Sequence, residues 1–283
     1  MSRSHYRLFD LTLASDLALT SPLLPGRPPA DVTFRLVSEP SAELDLGALQ
    51  PVYESPFRDP DGQSIAHLYR PDPAGGLEVL RYPAGAEFWL SGGRIDARLL
   101  DPAYRPSLEL RLLGPVLAYW LERAGIPVLH AAAVEMGGRA VGFLAGSRGG
   151  KSSLAAALVE AGRPLLTDDL LPVEERSGDL YALPGYPQMR LWPEAARRFA
   201  GAGADELPRV HPQLDKRRLP VARFHGEPLP LGRLYLPERR PGADVAIRPV
   251  SPRDALIELL ARSFIPQLAA SGGREGERFD RMA

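Results

Sequence analysis

Apolar and polar residues alternate along much of the first hundred positions. In Val32–Val37 the residues Val32, Phe34 and Leu36 share one face, and a partial alternation runs through Tyr6–Leu13. A period of two places successive side chains on opposite faces of a strand. Ile65–Tyr69, Leu77–Tyr82, Glu87–Leu90 and Arg94–Leu99 are further strand candidates, with Gly92-Gly93 as a hairpin turn between the last two. Pro-rich stretches at 22–29 and 51–60 read as surface connections. Residues 1–106 are therefore expected to form a strand-rich region that supports or docks a substrate.

The period then changes. Leu108, Leu112, Pro115, Val116, Tyr119 and Trp120 recur at helical spacing over Ser107–Ala124. Ser107 is the expected cap and Gly125 the stop, with Pro115 bending or splitting the helix. Pro127–Val134 is an apolar strand interrupted by His130, and Gly137-Gly138 turns into a strand at Arg139–Leu144. A helix over Ser153–Glu160 ends at Gly162. An apolar strand, Pro164–Val173, carries Asp168 and Asp169. Ser177-Gly178 turns into a strand at Tyr181–Leu183. Gln188–Trp192 leads into a helix that opens on Pro193 and stops at Gly201. Residues 202–218 read as a polar loop, Leu231–Leu236 and Val245–Val250 as strands. A last helix, capped by Ser251, runs to about Phe264, and 271–283 forms a charged tail expected to be mobile. Strands and helices in this order predict an α/β fold of α+β character, with a second domain over 107–270.

Between the strand and helix at the centre of that domain lies Ala145-Gly-Ser-Arg-Gly-Gly-Lys-Ser-Ser153. Strand, glycine-rich turn and helix opening on Lys-Ser form the layout of a phosphate-binding loop. Backbone N–H groups and the helix dipole favour an anion there. Residues 145–153 are thus the candidate nucleotide contacts. Lys151 would supply charge to the β- and γ-phosphates of ATP, and the Ser152 hydroxyl would ligate Mg²⁺. The first glycine of the usual pattern falls on Ala145.

Composition narrows the partners. A net charge of −1 argues against binding dominated by nucleic-acid phosphates. The absence of cysteine excludes disulfides, thiolate metal sites and cysteine nucleophiles. The N-terminal residues lack the apolar core of a signal peptide, and the apolar stretch around Leu110–Leu121 is too short and charged to span a bilayer. A cytoplasmic protein without a membrane partner is the expectation.

A phosphate loop with Mg²⁺ calls for a carboxylate at a neighbouring strand end. Asp168 and Asp169 occupy such a position. Adjacent residues of an extended strand point apart, so one can face the metal and the other an incoming hydroxyl. Asp168 is assigned to Mg²⁺ and Asp169 to the general base, with the reverse order open. His130 is a lone histidine among aliphatics. Arg190 is a candidate contact to phosphate or substrate. Arg148 is either a phosphate contact or exposed, and Lys216 and Arg217 read as solvated loop residues.

Leu129-His130-Ala131, the loop Ala145–Ser152 and Leu166-Thr-Asp168-Asp169 occur in the order and spacing of three motifs of HPr kinase/phosphorylase. Val128–Val173 resembles the catalytic domain of that family. The resemblance implies ATP-dependent phosphorylation of a protein serine, an aspartate activating the hydroxyl, and His130 near the transferred phosphate. Ala145 and Arg148 stand where the family has glycines, and Leu183–Trp192 occupies the region of its later glycine-rich signature. Phosphorolysis and HPr itself as substrate are therefore not expected. The chain is also similar to HPr-kinase-like proteins of ribosomal peptide biosynthesis, including lasso-peptide precursor kinases, through Tyr6–Leu11 and Pro184-Gly-Tyr-Pro187. That likeness implies a serine on a precursor peptide as acceptor, self-association, and a further strand and helix beyond the last one read here. The residues leave two other readings open: a small-molecule kinase, and a nucleotide-binding sensor or scaffold without phosphoryl transfer.

Overall fold

The computed structural model describes residues 3–40, 44–71, 76–212, 214–238, 240, 242, 244–271, 276 and 279. It is a mixed α/β structure of α+β character. The chain divides into two compact units, 1–123 with 267–274, and 124–266 with 275–283.

In the first unit the strands are β1 (Ser4–Leu8), β2 (Leu11–Ser15), β3 (Leu24–Pro25), β4 (Val32–Leu36), β5 (Tyr53–Glu54), β6 (His67–Tyr69), β7 (Leu77–Tyr82), β8 (Ala86–Ser91) and β9 (Arg94–Leu99). Among the described residues they form one sheet in the order β3-β1-β2-β4-β9-β8-β7-β6-β5. The expected strand Tyr6–Leu13 is instead a hairpin. Phe9 and Asp10 both take positive φ, 52° and 58°, and Ser4 pairs with Ser15. Phe9 is also buried, so its apolar side chain continues the alternation across a turn that has no glycine.

Helices α1 (Arg105–Arg111) and α2 (Leu117–Arg123) flank a wider turn at Leu112–Val116 that holds Gly114 and Pro115. The break is the one Pro115 predicts, since proline removes a helical donor and clashes with the preceding turn. Ser107 lies buried inside α1 rather than capping it, and Asp101 caps the 3₁₀ turn before it by accepting from Ala103 N at 2.8 Å. The expected domain boundary falls ahead of this helical segment. Its contacts place the segment in the first unit: the Glu109 carboxylate accepts from Thr20 and Ser21, and Trp120 Nε1 donates to Gly92 O.

In the second unit β10 (Val128–Leu129), β11 (Ala131–Met136), β12 (Arg139–Leu144), helix α3 (Lys151–Glu160), β13 (Leu165–Thr167), β14 (Leu171–Arg176) and β15 (Asp179–Ala182) come first. Then follow β16 (Gln188–Leu191), α4 (Pro193–Ala200), β17 (Arg209–His211), β18 (Leu214–Pro220), β19 (Leu229–Tyr235), α5 (Pro252–Ala261) and the short helix α6 (Pro266–Ala270), whose last residues return to the first unit. The main sheet runs β10-β14-β15-β19-β12-β11-β13, antiparallel except at β12–β19, and a small sheet runs β16-β18-β17. Alternate residues of β11 serve two cores. Ala132 and Val134 pack with Ala155, Ala156, Met189 and Leu191, whereas Ala131 and Ala133 pack with Leu144, Leu166 and Leu171. The small side chains let α3 lie close to the sheet.

Three expectations are corrected here. Residues 202–218 are not a loop throughout: β17 and β18 fall in them, and β18 pairs with β16 from Gln188↔Pro220 to Leu191↔Arg217. Val245–Val250 forms no strand, and Val245 is 99% exposed. Its alternation finds no neighbouring ladder among the described residues. The helix expected to be last, α5, ends at Ala261, short of Phe264, and α6 follows it from Pro266. Most of the tail after Ser271 lies outside the described residues.

Candidate active site

The glycine-rich loop leaves β12 at Ala145 and enters α3 at Lys151. Its path depends on three residues. Gly150 caps the helix at φ 96°, a conformation that glycine adopts without strain. Gly149 lies so close to its own loop that a Cβ there would sit 2.5 Å from Ala145 Cβ and 3.0 Å from Gly146 O. Arg148 holds φ 62° without being glycine, and its guanidinium stacks 4.6 Å from the centre of the Trp192 ring. No side chain caps the first turn of α3, so its backbone N–H groups are not spent on a cap.

Two strand pairs open at the same place. Val128 and Leu129 pair with Pro172 and Leu171, and Ala133 and Val134 pair with Thr167 and Leu165. Between those rungs, His130–Ala132 faces Asp168–Leu170 without a ladder. The two expected continuous strands are thus each broken, and Asp169 sits at φ 72°. Its carboxylate leaves Asp168's because the backbone turns over, not because an extended strand alternates. Thr167 Oγ1 pins the turn by donating to Leu170 O at 2.6 Å.

The opening gathers the residues singled out from the sequence. Ser152 Oγ donates to Asp168 Oδ1 at 2.7 Å, and Arg190 N donates to Asp168 Oδ2 at 2.7 Å. Asp169 lies 3.6 Å from Arg190, 3.6 Å from Lys216 and 3.9 Å from His130 Nε2. Those distances exceed hydrogen-bond length. Asp169 Oδ1 and His130 Nε2 are both buried without a hydrogen-bond partner among the described residues. Lys151 is buried, 5% exposed. Ser147 and Arg148 are exposed, and Ser153 is half-buried on α3.

Charge is unevenly shared. Burial, then the neighbouring Asp169 charge, push Asp168 above the usual carboxylate range. Burial opposes ionisation of Asp169 too, but Lys216, Arg190 and Lys151 outweigh it and hold that carboxyl low. Burial, partly offset by the two aspartates, lowers the Lys151 ammonium. Burial and then Lys151 lower His130 to about 4, so its ring is uncharged at neutral pH. His130 can therefore offer a hydrogen bond to a phosphate, but not a resident positive charge.

Groups to which the sequence reading gave no part in the site complete it, among them Lys216, read there as solvated but only 16% exposed at its side chain. Tyr186 OH accepts from Arg190 at 2.7 Å. Gly185 N donates to Leu166 O, and a Cβ on Gly185 would meet Thr167 Oγ1 at 2.5 Å, so Pro184-Gly-Tyr-Pro187 reaches the site only through glycine. Arg262 follows α5; its carbonyl accepts from His130 N at 2.7 Å, and its NH1 approaches Gly146. Lys216 comes from β18, where a run rich in Lys and Arg hid the strand.

The Ser152 hydroxyl and Asp168 carboxylate are hard oxygen donors beside the glycine-rich turn. That donor set suits Mg²⁺, which takes one or two carboxylates with phosphate oxygens and water. No helix among the described residues is long and apolar enough to cross a membrane. Neither the models of known protein families nor the curated proteins compared with the chain give a match.

Proposed function

We propose that the chain is an ATP- and Mg²⁺-dependent kinase that phosphorylates a serine hydroxyl on a peptide or protein, with a ribosomal precursor peptide as the substrate class. One observation carries the chemistry. A buried Asp169 oxygen without a hydrogen-bond partner among the described residues faces Lys216 and His130, while Asp168 is already engaged by Ser152. The two carboxylates are thereby divided between two tasks.

Lys151 and the N–H groups of the loop bind the donor phosphates. Ser152 and Asp168 would hold Mg²⁺, which neutralises phosphate charge when bound. The Asp169 carboxylate accepts the proton of the acceptor hydroxyl; Lys216 and Arg190 keep it ionised and ready. His130 donates a hydrogen bond to the transferred group, and Tyr186 fixes Arg190. Catalysis then rests on positioning and preset charge. The serine acceptor follows from the resemblance to HPr-kinase-like proteins.

The exposed, non-glycine Arg148 engaged with Trp192 supports a second reading, a nucleotide sensor that does not transfer phosphate. Incubation with γ-labelled ATP separates the readings. Label on a serine peptide, lost in a Ser→Ala control, supports the kinase. Label on a metabolite supports a small-molecule kinase, and ATP binding without label anywhere supports the sensor.

A further inference from the structure

The donor half of the site has Lys151. The structure holds a second lysine whose donors are also unspent. Lys216 is only 16% exposed at its side chain, yet its ammonium stands 3.6 Å from Asp169 Oδ1, beyond hydrogen-bond length, and no hydrogen bond to it exists among the described residues. The Trp192 ring lies 5.7 Å away, and Lys151, Asp168 and His130 are close enough for its charge to act on them. The ammonium is thus held near the carboxylate by charge while its N–H groups stay open to a further acceptor.

Its placement follows from strand pairing. Arg190 and Arg217 lie on paired strands, with Leu191 opposite Arg217, so the next rung brings Lys216 level with Trp192. Lys216 thus arrives on β18, an element separate from the loop and from the broken strands. Of the charged groups that act on Asp169 and its neighbour, Lys151, Lys216 and Arg190 exceed Asp168 and Asp169 by one positive charge, and Arg262 beside the loop is paired with Glu258. A site so unbalanced attracts an anion.

Resting on the kinase reading, we propose that Lys216 is a second catalytic lysine, contacting the phosphoryl group as it leaves ATP for the acceptor. In that step the serine Oγ–P bond forms and the bond from Pγ to the β–γ bridging oxygen breaks. The electron pair stays on the bridging oxygen of ADP, and the serine proton passes to Asp169. Charge grows on the transferring oxygens and the bridge, where Lys216 has three free N–H donors to offer. Lys151 serves ATP before and during the step; Lys216 serves chiefly the transition state.

The test uses the full chain, as wild type, Lys216→Met and Lys216→Arg. ATP affinity is measured with Mg²⁺, and single-turnover transfer from γ-labelled ATP is followed to peptide and to water. Lys216→Met is expected to bind ATP within about threefold of wild type while transfer slows about 100-fold, the scale of losing one preset donor. Lys216→Arg is expected to recover at least about tenfold of that loss, with melting temperatures matching in all three. Lys216→Met transferring within about threefold of wild type would overturn the proposal, as would an arginine variant as slow as the methionine one. Wild type that neither binds nor turns over ATP would overturn the kinase reading itself, and this proposal with it.

Discussion

The Ser152 hydroxyl donates a 2.7 Å hydrogen bond to Asp168, tying the first turn of α3 to the break between β13 and β14. Asp168 is the carboxylate that burial and its neighbour push upward, so it stands to gain most from a cation beside it. An Asp168→Asn variant is expected to need about tenfold more Mg²⁺ for half-maximal activity, the scale on which metal sites respond to a lost oxygen partner. A titration of activity against Mg²⁺ checks this. An unchanged requirement would remove Asp168 from the metal position.

Loop geometry predicts a paired effect. A methyl group at Gly149 would press on Ala145 Cβ and Gly146 O. Overpacking of this kind costs about 1–3 kcal/mol. Gly149→Ala should therefore weaken ATP binding about tenfold or more. Adding Ala145→Gly removes the nearer obstacle and should restore part of the loss, which a double-mutant cycle of ATP affinities would measure.

His130 gives a pH signature. Its folded pKa, about 4, lies below the ordinary value of 6.5. Below pH 6.5 the unfolded chain takes up a proton that the folded chain refuses, so this contribution to stability is lost as pH falls from 6.5 towards 4. Asp168, shifted the other way, opposes the trend, so the comparison must be differential. At pH 4.5 wild type should have lost about 2 kcal/mol relative to His130→Gln, compared with the same pair at pH 7, allowing for the partial exposure of the ring. Denaturant melts at the two pH values decide it.

Tyr186 and Arg190 supply a positioning test. Tyr186→Phe removes the acceptor that fixes the guanidinium beside Asp169. The expected result is a kcat lower by about tenfold, with the affinity for ATP nearly unchanged, since a hydrogen bond to a charged group is worth about 1.5–3 kcal/mol.

The core of the site was legible from residue order. Lys151, Ser152, Asp168, Asp169, His130 and Arg190 were all named from the sequence, and they converge. A glycine-rich turn between an apolar strand and a helix, followed by carboxylates at a strand end, carries information in local spacing alone. Lys216 reads as a solvated loop residue, because Leu214-Asp-Lys-Arg-Arg-Leu-Pro220 sets Lys216 and Arg218 on one face and Asp215, Arg217 and Leu219 on the other, charged residues on both. Neither face is continuously apolar, although Leu219 packs on the core, so the period-two signal of a strand disappears. Phe9-Asp10 and Asp169 failed for another reason: these turns use left-handed backbone at residues other than glycine, which composition does not announce. Val245–Val250 shows the converse, a strand pattern with no neighbouring strand to pair with among the described residues. The two adjacent carboxylates were assigned opposite directions from strand alternation; they do diverge, but through a break in the sheet that only the fold displays.

The central claim is that Asp169 acts as base beside a Lys151 phosphate loop. Its most direct test is single-turnover transfer from γ-labelled ATP to a serine peptide, comparing wild type with Asp169→Asn at matched ATP occupancy. The account predicts label on the wild-type peptide, and transfer slower by about 100-fold or more in Asp169→Asn with ATP binding retained, the range expected when general-base help is removed. Transfer at the wild-type rate in Asp169→Asn would contradict it.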